Sequence, residues 1–139
     1  MTINCRGQLI DLKQPSVMGI LNVTPDSFFD GGKYATEKAI LSQVERMLLE
    51  GATFIDIGAY SSKPNGAEIS QEQELSRLLP ALQSVVAHFP EAIISVDSFR
   101  AEVAKAAIEN GAAIINDISA GSLDSAMMST IAHYKVPYI

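Results

Sequence analysis

The stretch Val17-Met-Gly-Ile-Leu-Asn22-Val-Thr-Pro-Asp-Ser-Phe-Phe-Asp-Gly-Gly32 decides the fold. From Val17 to Leu21 every residue is apolar or Gly, as in a strand buried on both faces of a parallel sheet. The chemistry then changes within one residue. Asn22, Thr24, Asp26, Ser27 and Asp30 crowd polar groups together, while Pro25, Gly31 and Gly32 stop regular structure from continuing. A buried strand that ends in a long polar loop puts those groups at the carboxyl edge of a sheet. That edge is where α/β proteins bind ligands.

The same pattern recurs along the chain. Residues 37–50 place Ile40, Leu41, Val44, Met47 and Leu48 at helical spacing, and Gly51 stands where a C-cap belongs. Residues 53–57 read as a second strand, ending in Asp56-Ile57-Gly58 before another polar loop, Ala59-Tyr-Ser-Ser-Lys-Pro-Asn-Gly66. Ser70-Gln-Glu-Gln73 fits a capping box that opens a helix through Leu75, Leu78, Leu79, Leu82 and Val86. A third strand at 93–96 ends on Asp97, and a helix at 102–110 stops at Gly111. A fourth strand at 113–115 ends on Asn116-Asp117, a helix follows at about 124–133, and 136–139 begins a fifth strand. Residues 3–12, centred on Arg6-Gly7, predict a small hairpin at the opposite end.

Strand, loop and helix alternate at roughly thirty-residue spacing, which means a parallel sheet with crossover helices. Each unit suits a (β/α)8 TIM barrel, but a whole barrel needs about 250 residues. The 139 residues supply the first four βα units and the start of a fifth, as one N-terminal portion of such a domain. Half a barrel should leave open edges and an uncovered apolar interior, expected to include Val17, Ile20, Ile55 and Ile94.

Composition narrows the function classes. Apolar residues make up 47%, too many for a disordered chain, and no apolar run is long enough for a membrane span. No signal-peptide pattern opens the chain, and the single cysteine, Cys5, suits a reducing cytoplasm. A net charge of −6 without a basic patch argues against nucleic acid as a partner. Anionic small molecules remain admissible, since a few local donors suffice to hold one. His88 and His133 fall on helical segments away from the loops and are expected at the surface, and no His/Cys metal-ligand spacing occurs.

The strand ends bring Asn22, Asp56, Asp97 and Asn116 with Asp117 toward one mouth. Carboxylates accept from ring N–H and amino groups, and carboxamides donate as well as accept, so the set suits a flat nitrogen heterocycle. Plainer roles are open for each residue. Asp56 could hold a neighbouring loop, Asp97 could cap the following helix, and Asn116 and Asp117 could be turn residues.

Four blocks together resemble the dihydropteroate synthases, the folate-pathway enzymes targeted by sulfonamides. They are residues 18–32, then Gly51-Ala-Thr-Phe-Ile-Asp-Ile-Gly58, Ile94-Ser-Val-Asp-Ser-Phe-Arg100 and Gly111-Ala-Ala-Ile-Ile-Asn-Asp-Ile-Ser119. They occur in the family's order over essentially the whole chain. The resemblance implies the (β/α)8 barrel and the joining of p-aminobenzoate to 6-hydroxymethyl-7,8-dihydropterin pyrophosphate, giving dihydropteroate and pyrophosphate. It implies Mg²⁺ and pyrophosphate at Asn22, pterin recognition by Asp97 and Asn116, and a p-aminobenzoate pocket at Phe28, Ser62 and Pro64. Asp26 and Asp30 match the first loop over the reacting centre, so Asn22, Asp26 and Asp97 are the expected catalytic set. Asp56 matches a supporting acid beneath the second loop. A homodimer is the assembly expected of a full-length enzyme.

One loop departs from the pattern. The family's second loop commonly reads Glu-Ser-Thr-Arg-Pro-Gly, whereas this chain has Tyr60-Ser-Ser-Lys-Pro-Asn65. Ser62 keeps the hydroxyl; Lys63 gives up the guanidinium fork. The family's later pterin-binding acid, its substrate-binding Lys and its Arg-containing pyrophosphate site match nothing within residues 1–139. Two alternatives stand beside the synthase reading: a pterin-binding folate methyltransferase domain, and a non-catalytic fragment that only binds or assembles. A methyl-transferring barrel binds no pyrophosphate and has no need of the Asn22-Val-Thr-Pro-Asp-Ser27 run.

Overall fold

The computed structural model describes residues 1–24, 32–60 and 68–139, with backbone alone at 32–35. Two short strands, β1 (Thr2–Cys5) and β2 (Gln8–Asp11), pair antiparallel as the expected hairpin. Its two-residue turn takes positive φ at both Arg6 (54°) and Gly7 (88°), the conformation whose twist matches the paired strands. Then come β3 (Met18–Asn22), α1 (Gly32–Leu49), β4 (Phe54–Gly58), α2 (Gln71–His88) and β5 (Ile93–Asp97). The chain continues through α3 (Ala101–Glu109), β6 (Ile114–Asn116) and α4 (Met127–Tyr134). β3 to β6 form one parallel sheet in sequence order.

The anticipated fifth strand is present as a start. Tyr138 bridges Ile115 in parallel, with Ile115 N–H donating to Pro137 O at 3.1 Å and Asp117 N–H to Ile139 O at 2.9 Å. The architecture is therefore the opening part of a β/α barrel, as the alternation requires. Among the described residues, no helix is long and apolar enough to cross a membrane.

Alternation along each strand divides the sheet into two faces. Leu21, Ile55, Ile57, Ile94, Val96 and Ile115, each at most 1% exposed, pack against the helices in the main core with Val44, Leu78 and Leu82. The register places Met18, Phe54 and Ile93 in a row on the other, barrel-interior face. The hairpin closes the lower end of that face, where Cys5 packs with Phe54, Ile93 and Ile114. The expected uncovered interior holds for Ile20, which lies on that face, but not for Ile55 and Ile94. Ile55 and Ile94 have the parity of the helix-facing row and are buried; Val17 and Ile20 are exposed, at 62% and 55%.

Element ends differ from the sequence expectation for local reasons. The helix α1 starts at Gly32 rather than at 37, because the apolar repeat that marks it in sequence begins only at Ile40. Gly51 follows in the left-handed region (φ 104°), with its N–H on Leu48 O and that of Ala52 on Met47 O, as the C-cap reading requires. The Ser70/Gln73 capping box is complete: Ser70 Oγ accepts from Gln73 N–H, and Gln73 Oε1 from Ser70 N–H. The helix α4 begins at Met127, after Asp124, whose carboxylate accepts from Ala101 N–H (2.8 Å) and, at the helix's own N-cap, from Ala126 N–H (2.9 Å).

Candidate active site

Register assembles the candidate site. Asn22 pairs with Gly58, Gly58 with Asp97, and Asp97 with Asn116, so four strand ends form one rung at the carboxyl edge. One rung below lie Ile20, Asp56, Ser95 and Ile114. Residues opposite one another across a parallel ladder share a face, so both rungs point into the barrel interior. Gly58 leaves open space in the middle of its rung. A methyl group built there would sit 3.6 Å from Asp97 Oδ2 and 3.8 Å from Asn22 Oδ1, filling the gap between the two oxygens.

The two rungs are tied together. Asn116 Nδ2 donates to Asp56 Oδ2 at 3.1 Å, and Asp56 is 2% exposed. A planar amide that gives its nitrogen to Asp56 turns its oxygen away, and that oxygen can accept. Asp56 Oδ1 and the neighbouring Ser95 Oγ are buried without a hydrogen-bond partner among the described residues. Such orphaned polar atoms are costly, and Glu74 Oε1 on α2 is a third among the described residues.

Asp97 is half-buried and does not cap α3. The capping alternative fails because Asp124 takes the Ala101 N–H and Arg100 occupies the N-cap position. Burial, followed by the nearby Asp56 charge, pushes the Asp97 carboxyl up to about 6, while a hydrogen bond from the Tyr60 hydroxyl (3.4 Å) pulls the other way. Asp117, by contrast, is the turn residue. Its Oδ1 accepts from Ser119 N–H and Oγ, and its Oδ2 from Gly121 N–H and the Tyr138 hydroxyl. Burial alone would raise its pKa, but those hydrogen bonds carry it below the usual value.

Two further residues pin the segment after the second loop. Glu74, fully buried on α2, pairs with Arg100, whose other nitrogen donates to Ile69 O at 2.7 Å. The Arg100 guanidinium also lies over the Phe99 ring, 4.6 Å from its centroid. The sequence held one signal for this pair: Glu74 falls on the same helix face as Leu78, Ala81 and Leu82, where a charge needs a partner. The structure thus brings together Asn22, Asp97 and Asn116, with Asp56 beneath them. Asp26, Asp30, Phe28, Ser62, Lys63 and Pro64 lie outside the described residues. His88 and His133 are exposed on helices, as expected.

Residues 18–139 match the family model described as pterin binding enzyme. The chain belongs to the pterin-binding enzyme family. Among the members it resembles, it is 52% identical over 88% of its length to a mitochondrial folate synthesis bifunctional protein of Arabidopsis thaliana, covering 23% of that protein. It is 43% identical over 89% of its length to a dihydropteroate synthase of Streptococcus pyogenes, covering 46% of it. A Xanthomonas albilineans dihydropteroate synthase solved with 4-aminobenzoic acid superposes with a TM-score of 0.90 at 39% identity, covering 99% of this chain and 50% of that one. The chain therefore spans about half the length of the dihydropteroate synthases it matches, or less.

Proposed function

We propose that residues 1–139 are the first four βα units of a dihydropteroate synthase and carry its pterin-reading side. The observation that supports this best is the single rung Asn22, Gly58, Asp97 and Asn116 at the carboxyl edge of a pterin-binding family sheet. The reaction would join 6-hydroxymethyl-7,8-dihydropterin pyrophosphate to p-aminobenzoate. The C–O bond to pyrophosphate breaks with its electron pair leaving on oxygen. A C–N bond forms from the arylamine, whose proton is lost to pyrophosphate or water.

Asp97 accepts from the pterin's ring N–H and amino groups, and Asn116 completes that edge with its free carbonyl oxygen. As the C–O bond breaks, positive charge grows on the pterin methylene, and the carboxylates facing the interior stabilise it. Asn22 Oδ1 is a hard oxygen ligand suited to Mg²⁺, which when bound would neutralise the departing pyrophosphate. The described residues hold no cluster of three or more His, Cys, Asp or Glu able to bind a metal. Mg²⁺ bound there would take substrate phosphate oxygens and water as further ligands, as that ion commonly does. In this reading Asp26 and Phe28 belong to the loop over the reacting centre, and Ser62 and Pro64 to the p-aminobenzoate pocket. Cys5, whose thiol burial pushes up, fits an unreactive core role in the cytoplasm.

The test is turnover by a polypeptide in which residues 1–139 are joined to the remainder of the barrel, followed as dihydropteroate formed and pyrophosphate released across a Mg²⁺ series. Asn22→Ala should lower turnover by about 10- to 100-fold and weaken the Mg²⁺ response. Failure of the wild type to make dihydropteroate at any Mg²⁺ concentration would overturn the reading. Sedimentation of the same material decides whether it is a homodimer.

A further inference from the structure

Tyr60 stands where the family's second loop commonly has Glu, two residues after the end of β4. Its half-buried ring meets Phe99 edge-on, with centroids 5.5 Å and planes 86° apart. Its hydroxyl reaches Asp97 Oδ1 at 3.4 Å. Burial, then the Asp97 charge, holds the Tyr60 hydroxyl well above its ordinary range, so it remains a donor at any pH the protein meets. The other Asp97 oxygen, Oδ2, is the one beside the open space over Gly58. One carboxylate oxygen is thus engaged by the protein and the other faces the gap.

We propose that Tyr60 is a positioning residue for the pterin site: its hydroxyl fixes Asp97 Oδ1 so that Oδ2 is the oxygen offered over Gly58. The proposal rests on the reading of Asp97 as a pterin contact. The electrostatic surroundings give the hydroxyl a second effect. Asp56 on β4, Glu74 on α2 and Asp117 after β6 all disfavour the Asp97 charge, and among the described residues the Tyr60 hydrogen bond favours it. Among the described residues the nearby cation, Arg100, is engaged by Glu74 and Ile69 O. A 3.4 Å contact is long for O–H···O, which places its effect at the low end of a charge-assisted hydrogen bond.

The test uses Tyr60→Phe in the natural polypeptide, which keeps the ring contact with Phe99 and removes only the hydroxyl. Carboxyl ¹³C NMR of the ligand-free protein should show the Asp97 titration midpoint moving up by about 0.5 pH unit. At pH 8, where Asp97 is ionised in both proteins, affinity for 6-hydroxymethylpterin should fall about threefold from lost orientation. An unmoved midpoint, or wild-type affinity at pH 8, overturns the proposal. Asp97→Asn, measured alongside, separates the two ideas. If it loses pterin affinity while Tyr60→Phe changes nothing, Asp97 stays a pterin contact and only the role of Tyr60 falls. If it binds as the wild type does, the reading of Asp97 falls and the proposal with it.

Discussion

Asn116 at the end of β6 gives its amide nitrogen to Asp56 on β4, 3.1 Å away and one rung deeper in the barrel. A buried acid that no ligand need touch thus sets which way a carboxamide at the mouth points. If so, Asp56 and Asn116 act as one unit. Asn116→Ala should weaken 6-hydroxymethylpterin binding about tenfold, and Asp56→Ala should cost nearly as much. The double variant should be no worse than Asn116→Ala alone, because residues in one hydrogen bond are not additive. Asp56→Asn, which keeps an acceptor, should recover part of the loss. Calorimetric titration of the wild type and the four variants measures the cycle and the rescue, and additive losses would separate the two residues.

Asp97 makes stability depend on pH in a stated direction. Its folded carboxyl is held up to about 6, chiefly by burial, above the ~3.9 of an unfolded chain. The folded state therefore holds this proton more tightly than the unfolded state. The resulting stabilisation is complete below about pH 4 and is lost as pH rises through about 6. Asp97→Asn removes the penalty of a half-buried charge, so the ligand-free variant should melt above wild type at pH 8. The gap should close by about pH 4. Thermal melts of both proteins across that window decide it, and a gap that ignores pH would point to packing instead.

The strands and their ends were legible because burial and chemistry change together there. Five apolar residues followed by Asn22, or Ile55 and Ile57 around Asp56, state both a strand and its place in a barrel. The capping box at Ser70 and the stop at Gly51 were legible because each is a local hydrogen-bonding device. Other features depend on partners distant in sequence. Asp124 looked like the start of its own helix, yet it serves Ala101, 23 residues away. Asp97 and Asp117 carry the same side chain after neighbouring strands. Only the surroundings show that one faces the interior and the other folds a turn. The inward or outward parity of Ile55 and Ile94 likewise needs the register, since a strand buried on both faces shows no alternation.

The Glu74–Arg100 pair should be the most sensitive polar contact outside the rung. Glu74 is fully buried, so Arg100→Ala leaves a charge with no counter-ion and also frees Ile69 O. Breaking a buried pair from one side costs about 3–5 kcal/mol. Arg100→Lys should recover only part, since an ammonium cannot reach both acceptors in the same fork geometry. Urea unfolding at constant m-value measures both. A loss under about 1 kcal/mol for Arg100→Ala would mean that water reaches Glu74 once the arginine is gone.

Expressed as a separate polypeptide of 139 residues, this chain should self-associate and make no dihydropteroate. On the interior side Ile20 is 55% exposed, and Val17, Ile118 and Leu123 add exposures of 62%, 76% and 64%. Among the described residues, β3 pairs with β4 only, which leaves a row of backbone donors and acceptors along its other side. Exposed edges and apolar patches of this kind recruit other chains. Activity should be absent for a separate reason. The rung supplies groups that read the heterocycle, but among the described residues it holds no cation able to replace the family's lysine and arginine at the pyrophosphate. Sedimentation velocity over a concentration series, run beside the turnover assay, tests both statements. A monomer at every concentration would show that the exposed residues are harmless, and measurable turnover would show that the rung and its flanking loops suffice for the chemistry.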